Sequence, residues 1–282
     1  MKRLFYGFVV CSVLAGLTSP AQAQYDYATI DVPGAIVTTA YGINDAGQIV
    51  GGYIAGRSHG FLLNADGSYT TFDVPGAGTT VGRGINAAGQ IVGYYIDAGG
   101  TNHGFLLDVD GSYSTIDFPG VAYTQAFGIN ANGQIVGQYV DAGNDTHGFL
   151  LDVDGSYTTI DVPGAIATWA YGINDAGQIV GVWLDAGSGG HGYFLDADGS
   201  FTTFDGEAYG IDDASQIVGQ YLDDTGIDSG FLLDTDGSYT TVDPPSSVLT
   251  FAFAINGSGL IVGGYRDGIV GANHGFIATP AP

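Results

Sequence analysis

The chain has 282 residues, and its charge is strongly acidic: 29 aspartates and glutamates stand against only five lysines and arginines. Such a surface repels phosphate backbones and anionic membranes, because affinity for both depends on lysine and arginine. We therefore expect neither a nucleic-acid partner nor a membrane partner.

Residues 1–23 have the pattern of a secretory signal peptide. Lys2 and Arg3 form a basic start, residues 4–17 are mainly apolar, and 21–23 form a small-residue cleavage site. The apolar stretch is shorter than the roughly 20 residues that span a bilayer. Cleavage predicts a secreted protein, extracellular or periplasmic, over 24–282. That segment has no cysteine and three arginines against 29 acidic residues, a formal charge of 3 − 29 = −26.

A segment of about 44 residues recurs six times after this leader. His59, His103, His147 and His191 mark its spacing, since they lie 44 residues apart. Repeats of this length are typical of propellers, solenoids and arrays. The motif Gly-Ile-Asn-x-x-Gly-Gln-Ile-Val-Gly, or a variant of it, begins at Gly42, Gly84, Gly128, Gly172, Gly210 and Ala254.

Each repeat divides into four short apolar segments that predict β-strands. In the third repeat they cover 124–130, 134–140, 147–152 and 156–161, and they are too short for helices. Asn and Asp followed by Gly separate the first from the second and the third from the fourth, as tight hairpins require. Four antiparallel strands in such a repeat match one propeller blade.

The two ends of the repeat region complement each other. Residues 27–33 match a fourth strand with no first three, and 274–279 match a third strand with no fourth. We therefore predict an all-β fold over 24–282, a six-bladed β-propeller whose last blade is closed by the N-terminal strand. An open β-array or solenoid is the alternative. In the propeller, the first strand of each repeat lines the central channel, and binding is expected on the face with the variable loops.

The repeats resemble a known family of secreted proteins. Tyr-Gly-Ile-Asn-Asp-Ala-Gly-Gln-Ile-Val-Gly together with His-Gly-Phe, as at His59 and His147, is similar to the HAF-type extracellular repeat family. The resemblance covers essentially 25–279, although the family's His-Ala-Phe is altered throughout and the fifth repeat has Ser229 in place of histidine. It implies a secreted bacterial protein and carries no established activity. The C-terminal residues 278–282 show no sorting segment, so we expect release from the cell.

The repeated histidines and aspartates are the candidates for metal binding. The histidines begin strands away from the propeller axis, so a structural hydrogen bond explains them better than a shared ion. The Asp-x-Asp-Gly turns resemble the start of calcium loops, but a hairpin turn accounts for them and no later glutamate follows. We expect no cofactor, with calcium as the alternative. The metal candidates are Asp108, Asp110, Asp152 and Asp154.

Positions that break the repeat are the candidates for ligand binding. Arg83 stands where other repeats have Tyr41 or Phe127, so its cation needs either an aspartate partner or a ligand. Arg57 falls on the same predicted face, and the two arginines could form an anion pocket. In the fifth repeat a shortened loop places Glu207 near Trp169 of the preceding repeat, which could open a groove.

Three functions are consistent with these patterns. The first is a secreted, non-catalytic binding protein, monomeric, with an extracellular ligand that is a glycan in its most specific form. The second is a hydrolase that uses paired aspartates, with or without calcium. The third is a structural component of an extracellular matrix. The segment 24–282 has no cysteine, no lysine and no Gly-x-Ser-x-Gly motif, which favours the first.

Overall fold

The computed structural model describes residues 25–187, 189–268 and 271–281. Across these ranges the chain forms 24 strands joined by turns. They contain no helix, and so none long and apolar enough to cross a membrane. The signal peptide predicted for 1–23 lies outside the described residues. The prediction of an all-β repeat protein is confirmed.

The strands fall into six units of four antiparallel strands, numbered in chain order, and single parallel pairs join units 2 to 4 into one 12-stranded sheet. Unit 1 contains β2 (Val37–Ile43), β3 (Ile49–Ala55), β4 (Arg57–Leu63) and β5 (Tyr69–Phe72). Unit 2 contains β6 (Thr79–Ile85), β7 (Ile91–Ile96), β8 (Asn102–Leu107) and β9 (Tyr113–Ile116). Unit 3 contains β10 (Tyr123–Ile129), β11 (Ile135–Val140), β12 (Thr146–Leu151) and β13 (Tyr157–Ile160).

The other three units repeat this order, with one change at the chain ends. Unit 4 contains β14 (Ala167–Ile173), β15 (Ile179–Leu184), β16 (Gly190–Leu195) and β17 (Phe201–Phe204). Unit 5 contains β18 (Glu207–Ile211), β19 (Ile217–Leu222), β20 (Asp228–Leu233) and β21 (Tyr239–Thr241). Unit 6 contains β22 (Ser247–Ile255), β23 (Ile261–Asp267), β24 (Asn273–Pro280) and the N-terminal β1 (Tyr25–Ile30). β1 pairs antiparallel with β24, from Tyr25 opposite Pro280 to Ile30 opposite Gly275.

The repeated motif packs each unit because its glycine lies beneath an aromatic ring. A Cβ atom at Gly51 would come 2.1 Å from the Thr39 carbonyl oxygen and 2.6 Å from the Phe61 ring. Only glycine fits there, so the glycine of Ile-Val-Gly in the second strand packs directly against the ring of Gly-Phe in the third strand. The ring at this place is fully buried in every unit. These rings belong to Phe61, Phe105, Phe149, Tyr193, Phe231 and Phe276.

The first strands of neighbouring units approach each other closely. A Cβ atom at Gly42 would lie 2.7 Å from the Arg83 carbonyl oxygen and 3.2 Å from the Gly84 Cα atom. The same contacts recur at Gly84, Gly128 and Gly172, and Gly210 approaches Ala254 in unit 6. Side chains larger than these would push the strands apart.

A relay of asparagine side chains joins the units at the end of these strands. The Nδ2 atom of Asn44 donates to the carbonyl oxygen of Asn86, 3.1 Å away, and each next asparagine repeats the bond. Asn256 of unit 6 donates to the Asn44 carbonyl oxygen at 3.1 Å, so the relay links unit 6 back to unit 1. The donors are Asn44, Asn86, Asn130, Asn174 and Asn256.

Asp212 occupies the sixth place in this relay and interrupts it. Its carboxylate still accepts the Gln216 backbone N–H at 2.8 Å, as the asparagines do in their own turns. A carboxylate has no hydrogen to donate to Asn256, and no such bond occurs among the described residues. Burial raises the pKa of Asp212. The position is therefore a weak point in an otherwise repeated set of bonds.

Restoring asparagine at this position should stabilise the protein. We expect Asp212→Asn to raise the free energy of unfolding at pH 7 by about 1 kcal/mol, as one added buried hydrogen bond does. Because the pKa of Asp212 is raised in the folded state, its ionisation lowers stability only at pH values above its ordinary pKa of 3.8. The stability gained by Asp212→Asn should therefore shrink as the pH falls toward 3.8. Urea unfolding at several pH values measures this.

The reverse change in unit 3 is the control for this prediction. Asn130→Asp should lower stability at pH 7, because it removes the donor to the Asn174 carbonyl oxygen. Equal stability of wild type and Asp212→Asn at pH 7 would contradict the role assigned to the relay.

Tyr193 gives a second stability prediction. It replaces the phenylalanine of the other units, is fully buried, and its hydroxyl has no hydrogen-bond partner among the residues that the structure describes. Tyr193→Phe should raise the free energy of unfolding by about 1 kcal/mol, because it removes an unsatisfied buried hydroxyl. Thermal unfolding tests this, with Phe149→Tyr as the destabilising counterpart.

Candidate functional site

Four histidines form the same bonded cluster at the loop-bearing end of the units. The Nδ1 atom of His59 lies 2.9 Å from an Asp73 oxygen, and its ring stacks on Tyr53 with centroids 5.1 Å apart. Carboxylates only accept hydrogen bonds, so Nδ1 carries the hydrogen. The bonds join His59 to Asp73, His103 to Asp117, His147 to Asp161 and His274 to Asp31.

These histidines support the third strands of units 1, 2, 3 and 6, as expected from the sequence. Unit 4 differs, because the Nε2 atom of His191 lies 3.4 Å from Asp185 instead. Within the described ranges, no group of three or more His, Cys, Asp or Glu side chains could hold a metal ion. The sequence signal for three of the clusters is a constant spacing of 14 residues between histidine and aspartate, which the strand pairing brings together; His274 instead meets Asp31 from the other end of the chain.

The four aspartates proposed as metal ligands lie in hairpin turns. Asp108 accepts the Val109 N–H at 2.8 Å, and Asp110 accepts the Ser112 N–H at 2.9 Å. Asp152 and Asp154 make the same bonds in the next unit. The Ser112 hydroxyl and N–H hold the pKa of Asp110 below its usual range. Calcium needs six to eight oxygens, and one oxygen of each of these carboxylates accepts a hydrogen bond from its own turn.

The functional candidate that the structure assembles is a ring of six side chains around the axis. Each sits on a β-bulge of the first strand of its unit, between a small residue and the close-packed glycine or Ala254. Neighbouring aromatic centroids lie 4.9 to 5.3 Å apart. They line a cavity of about 100 Å³. The ring contains Tyr41, Arg83, Phe127, Tyr171, Tyr209 and Phe253.

Arg83 closes this ring of aromatic residues. Its Cζ atom lies 4.1 Å from the centroid of the Tyr41 ring, 4.9 Å from Phe127 and 5.8 Å from Phe253. Cation–π contacts of this kind contribute roughly 0.5 to 2 kcal/mol each. No carboxylate of the described residues lies within ion-pair distance, and no side-chain hydrogen bond from the guanidinium is found there. The aspartate partner that the sequence suggested for Arg83 is therefore not found among the described residues.

Two tyrosines across the ring from Arg83, Tyr171 and Tyr209, carry neutral hydroxyl groups. Burial raises the pKa of Tyr171 to about 12, with Arg83 opposing and Glu207 adding to the rise. Burial, followed by Glu207, also raises the pKa of Tyr209. Both hydroxyls therefore stay protonated across physiological pH. That of Tyr209 donates its hydrogen to Glu207, whereas that of Tyr171 can both donate and accept.

The other residues predicted to bind a ligand lie apart from the ring that contains Arg83, or at its edge. Arg57 begins β4 and binds Asp73, with Nη2 to Oδ2 at 2.9 Å, so the two arginines do not form one pocket. Trp169 lies in β14 rather than in a loop. Glu207 begins β18, where it accepts hydrogen bonds from Tyr209 and from Gln220, so it borders the ring through Tyr209.

A second ring closes the cavity below these side chains. The six isoleucines that follow the first ring by two residues line both this cavity and another of about 100 Å³ on the hairpin side. That lower cavity has Asp45, Asp175 and Asp213 around it. The axis therefore has a cationic, aromatic end and an acidic end.

Comparisons with known proteins concern the fold. No protein-family model and no curated protein matches the chain. Its structure is similar to TolB from Acinetobacter baumannii, with a TM-score of 0.54 and 16% identity over 72% of this chain. The match spans 52% of that TolB chain, about half its length. A gluconolactonase from Xanthomonas campestris gives a TM-score of 0.54 and 12% identity, over 93% of this chain and 97% of its own.

A lectin shows the same likeness. A variant of Aleuria aurantia lectin in complex with Fucα1-6GlcNAc gives a TM-score of 0.50 and 14% identity, over 90% of this chain and 99% of that one. The fold is β-propeller-like. At these identities the comparisons establish the architecture and leave the activity to be argued from the site.

Arg57 provides a test of how the two arginines differ. Because its ion pair with Asp73 is solvent-exposed, Arg57→Ala should lower the free energy of unfolding by less than about 1 kcal/mol. It should leave ligand binding at the axial ring unchanged. Urea unfolding and titration calorimetry measure the two effects, and a loss of binding in Arg57→Ala would place this residue in the site after all.

Proposed function

We propose that this protein is a secreted, non-catalytic binding protein for acidic glycans, with the ring around Arg83 as its site. The observation that carries the proposal is the Arg83 guanidinium, which faces aromatic rings and has no carboxylate partner within the described ranges. A guanidinium presents paired N–H donors that match a carboxylate. A uronic acid supplies such a carboxylate together with hydroxyls for the tyrosines.

The surrounding charge makes this cation selective. A chain with a formal charge of −24 repels most anions, so an anion reaches Arg83 only if local contacts offset that repulsion. Tyrosine hydroxyls can donate to either kind of anion, but aromatic faces pack only against the C–H groups of a saccharide, so they favour it over a simple inorganic ion. The lectin solved with Fucα1-6GlcNAc is a precedent for saccharide binding on this general fold.

The proposal also covers the architecture, the repeat family and the location of the protein. We infer that the six units close into a six-bladed propeller completed by β1, supported by the β1–β24 pairing and the Asn256–Asn44 bond. We also place the repeats in the HAF-type extracellular family and the protein outside the cytoplasm, extracellular or periplasmic, as its leader-like residues 1–23 predict.

Arg83→Phe tests the proposed function. Phenylalanine stands at the equivalent position in units 3 and 6, so the variant should fold with an unchanged or higher melting temperature. Binding to uronic-acid glycans should fall at least about tenfold, the loss of one charge-assisted contact. A glycan array with neutral, sulfated and uronic-acid arms, followed by calorimetry, measures this.

The outcomes separate the possible ligands. Wild-type binding to uronic-acid glycans that falls in Arg83→Phe and weakens with added salt supports the proposal. Binding of neutral glycans alone, or equal binding by wild type and Arg83→Phe, would overturn it. Binding only to the sulfated glycans of the array would show that Arg83 recognises a sulfate group and not a carboxylate.

A further inference from the structure

A cleft of about 200 Å³ lies between units 6 and 1. It is larger than the axial cavity and smaller than the roughly 300–1,000 Å³ that encloses a drug-sized ligand. Aromatic and aliphatic side chains form most of its walls, so its volume suits a single six-membered ring. Its walls come from Tyr41, Leu249, Phe251 and Phe253, with Thr39 and Gly264 beneath them.

Two features of unit 6 border this cleft. Gly264 stands where units 2 to 5 carry a larger side chain, as Gly52 also does in unit 1, and a Cβ atom at Gly264 would lie 3.1 Å from the Thr39 Cγ2 atom. β22 is also the longest first strand, with nine residues and an extra bulge between Ser247 and Leu249. The residues equivalent to Gly264 in units 2 to 5 are Tyr94, Gln138, Val182 and Gln220.

The cleft borders the axial site. Tyr41 and Phe253 line both cavities. Arg83 lies 4.1 Å from the Tyr41 centroid and 5.8 Å from the Phe253 centroid, so the shared wall is the wall that the cation faces. A ligand whose charged group meets Arg83 can therefore extend across these two rings into the cleft.

The chemistry of the cleft matches a sugar ring. Phe251 and Phe253 are parallel within 1°, with centroids 5.6 Å apart, and offer flat apolar faces to the C–H side of a pyranose. Asn273 supplies an amide at the edge. Arg266 is the strand partner of both Leu249 and Asn273, which places it on the same side of the sheet. Its Nε atom is buried and has no hydrogen-bond partner in the described part of the chain.

We propose that this cleft is a second subsite, which holds the hexopyranose ring adjacent to the uronic acid bound at Arg83. The inference rests on the proposed function, and it makes the ligand at least a disaccharide. The uronate carboxylate meets Arg83, the next ring packs on Phe251 and Phe253, and its hydroxyls meet Asn273 and Arg266. The specificity of the protein then comes from the boundary between units 6 and 1.

Calorimetry with two probes tests the subsite. Glucuronic acid occupies the Arg83 site alone, whereas glucuronosyl-β1,4-glucose also reaches the cleft. Wild type should bind the disaccharide at least about tenfold more tightly than the monosaccharide. Gly264→Gln, which introduces the side chain that units 3 and 5 carry at this position, should abolish that difference and leave glucuronic acid binding unchanged.

A matched variant and a second substitution complete the experiment. Val182→Gln places the same side chain at the equivalent position of unit 4 and should keep the wild-type preference for the disaccharide. Should Gly264→Gln lower the melting temperature, Phe251→Thr decides, because it removes a wall without adding volume. Threonine is the residue that unit 1 has at this position, Thr39.

The two proposals fail in different ways. If wild type binds neither probe, the proposed function is wrong and the subsite is rejected with it. If wild type binds both probes equally, or if neither Gly264→Gln nor Phe251→Thr weakens disaccharide binding, the subsite is wrong and the Arg83 site stands.

Discussion

The close approach of the first strands at the axis is the constraint on which the rest of the structure depends. Adjacent strands come so near that a Cβ atom at Gly42 would lie 2.7 Å from the neighbouring Arg83 carbonyl oxygen. The asparagine relay then gives a second hydrogen bond to backbone carbonyls that already accept an N–H group of their own turn. The glycines let the strands approach, and the asparagines tie the neighbouring turns together.

The same constraint explains why the functional side chains converge. Each first strand bulges one residue before its close-packed glycine or alanine, and the bulge directs one side chain toward the axis. Six such residues meet only because the strands beneath them are in contact. An arginine at one of these places must lie among five aromatic rings, where its charge meets π-faces instead of the aspartates that dominate the chain.

The residues that repeat in every unit build the scaffold, and the positions that depart from the repeat make it asymmetric. Repeated groups such as His59 with Asp73, or Asp108 in its turn, are satisfied by neighbours in the same unit. Arg83 and Gly264 are different: Arg83 replaces an aromatic residue of the five other units, and Gly264 replaces the larger side chain of units 2 to 5. Both flank Tyr41 and Phe253, so a cation and an open volume occur side by side on one sector of the ring.

Much of the fold could be predicted from the sequence alone. Strand positions in the third repeat were correct to within one or two residues, because turns with Asn or Asp before Gly and alternating apolar residues are local signals. The singular status of Arg83 was also visible, since a repeat shows what each position normally carries. Only the tertiary structure decided what Arg83 contacts, that Arg57 is paired with Asp73, and that Gly264 lines a cleft. These facts depend on distances between side chains that are far apart in the sequence, and a repeat pattern carries no information about those distances until the chain has folded.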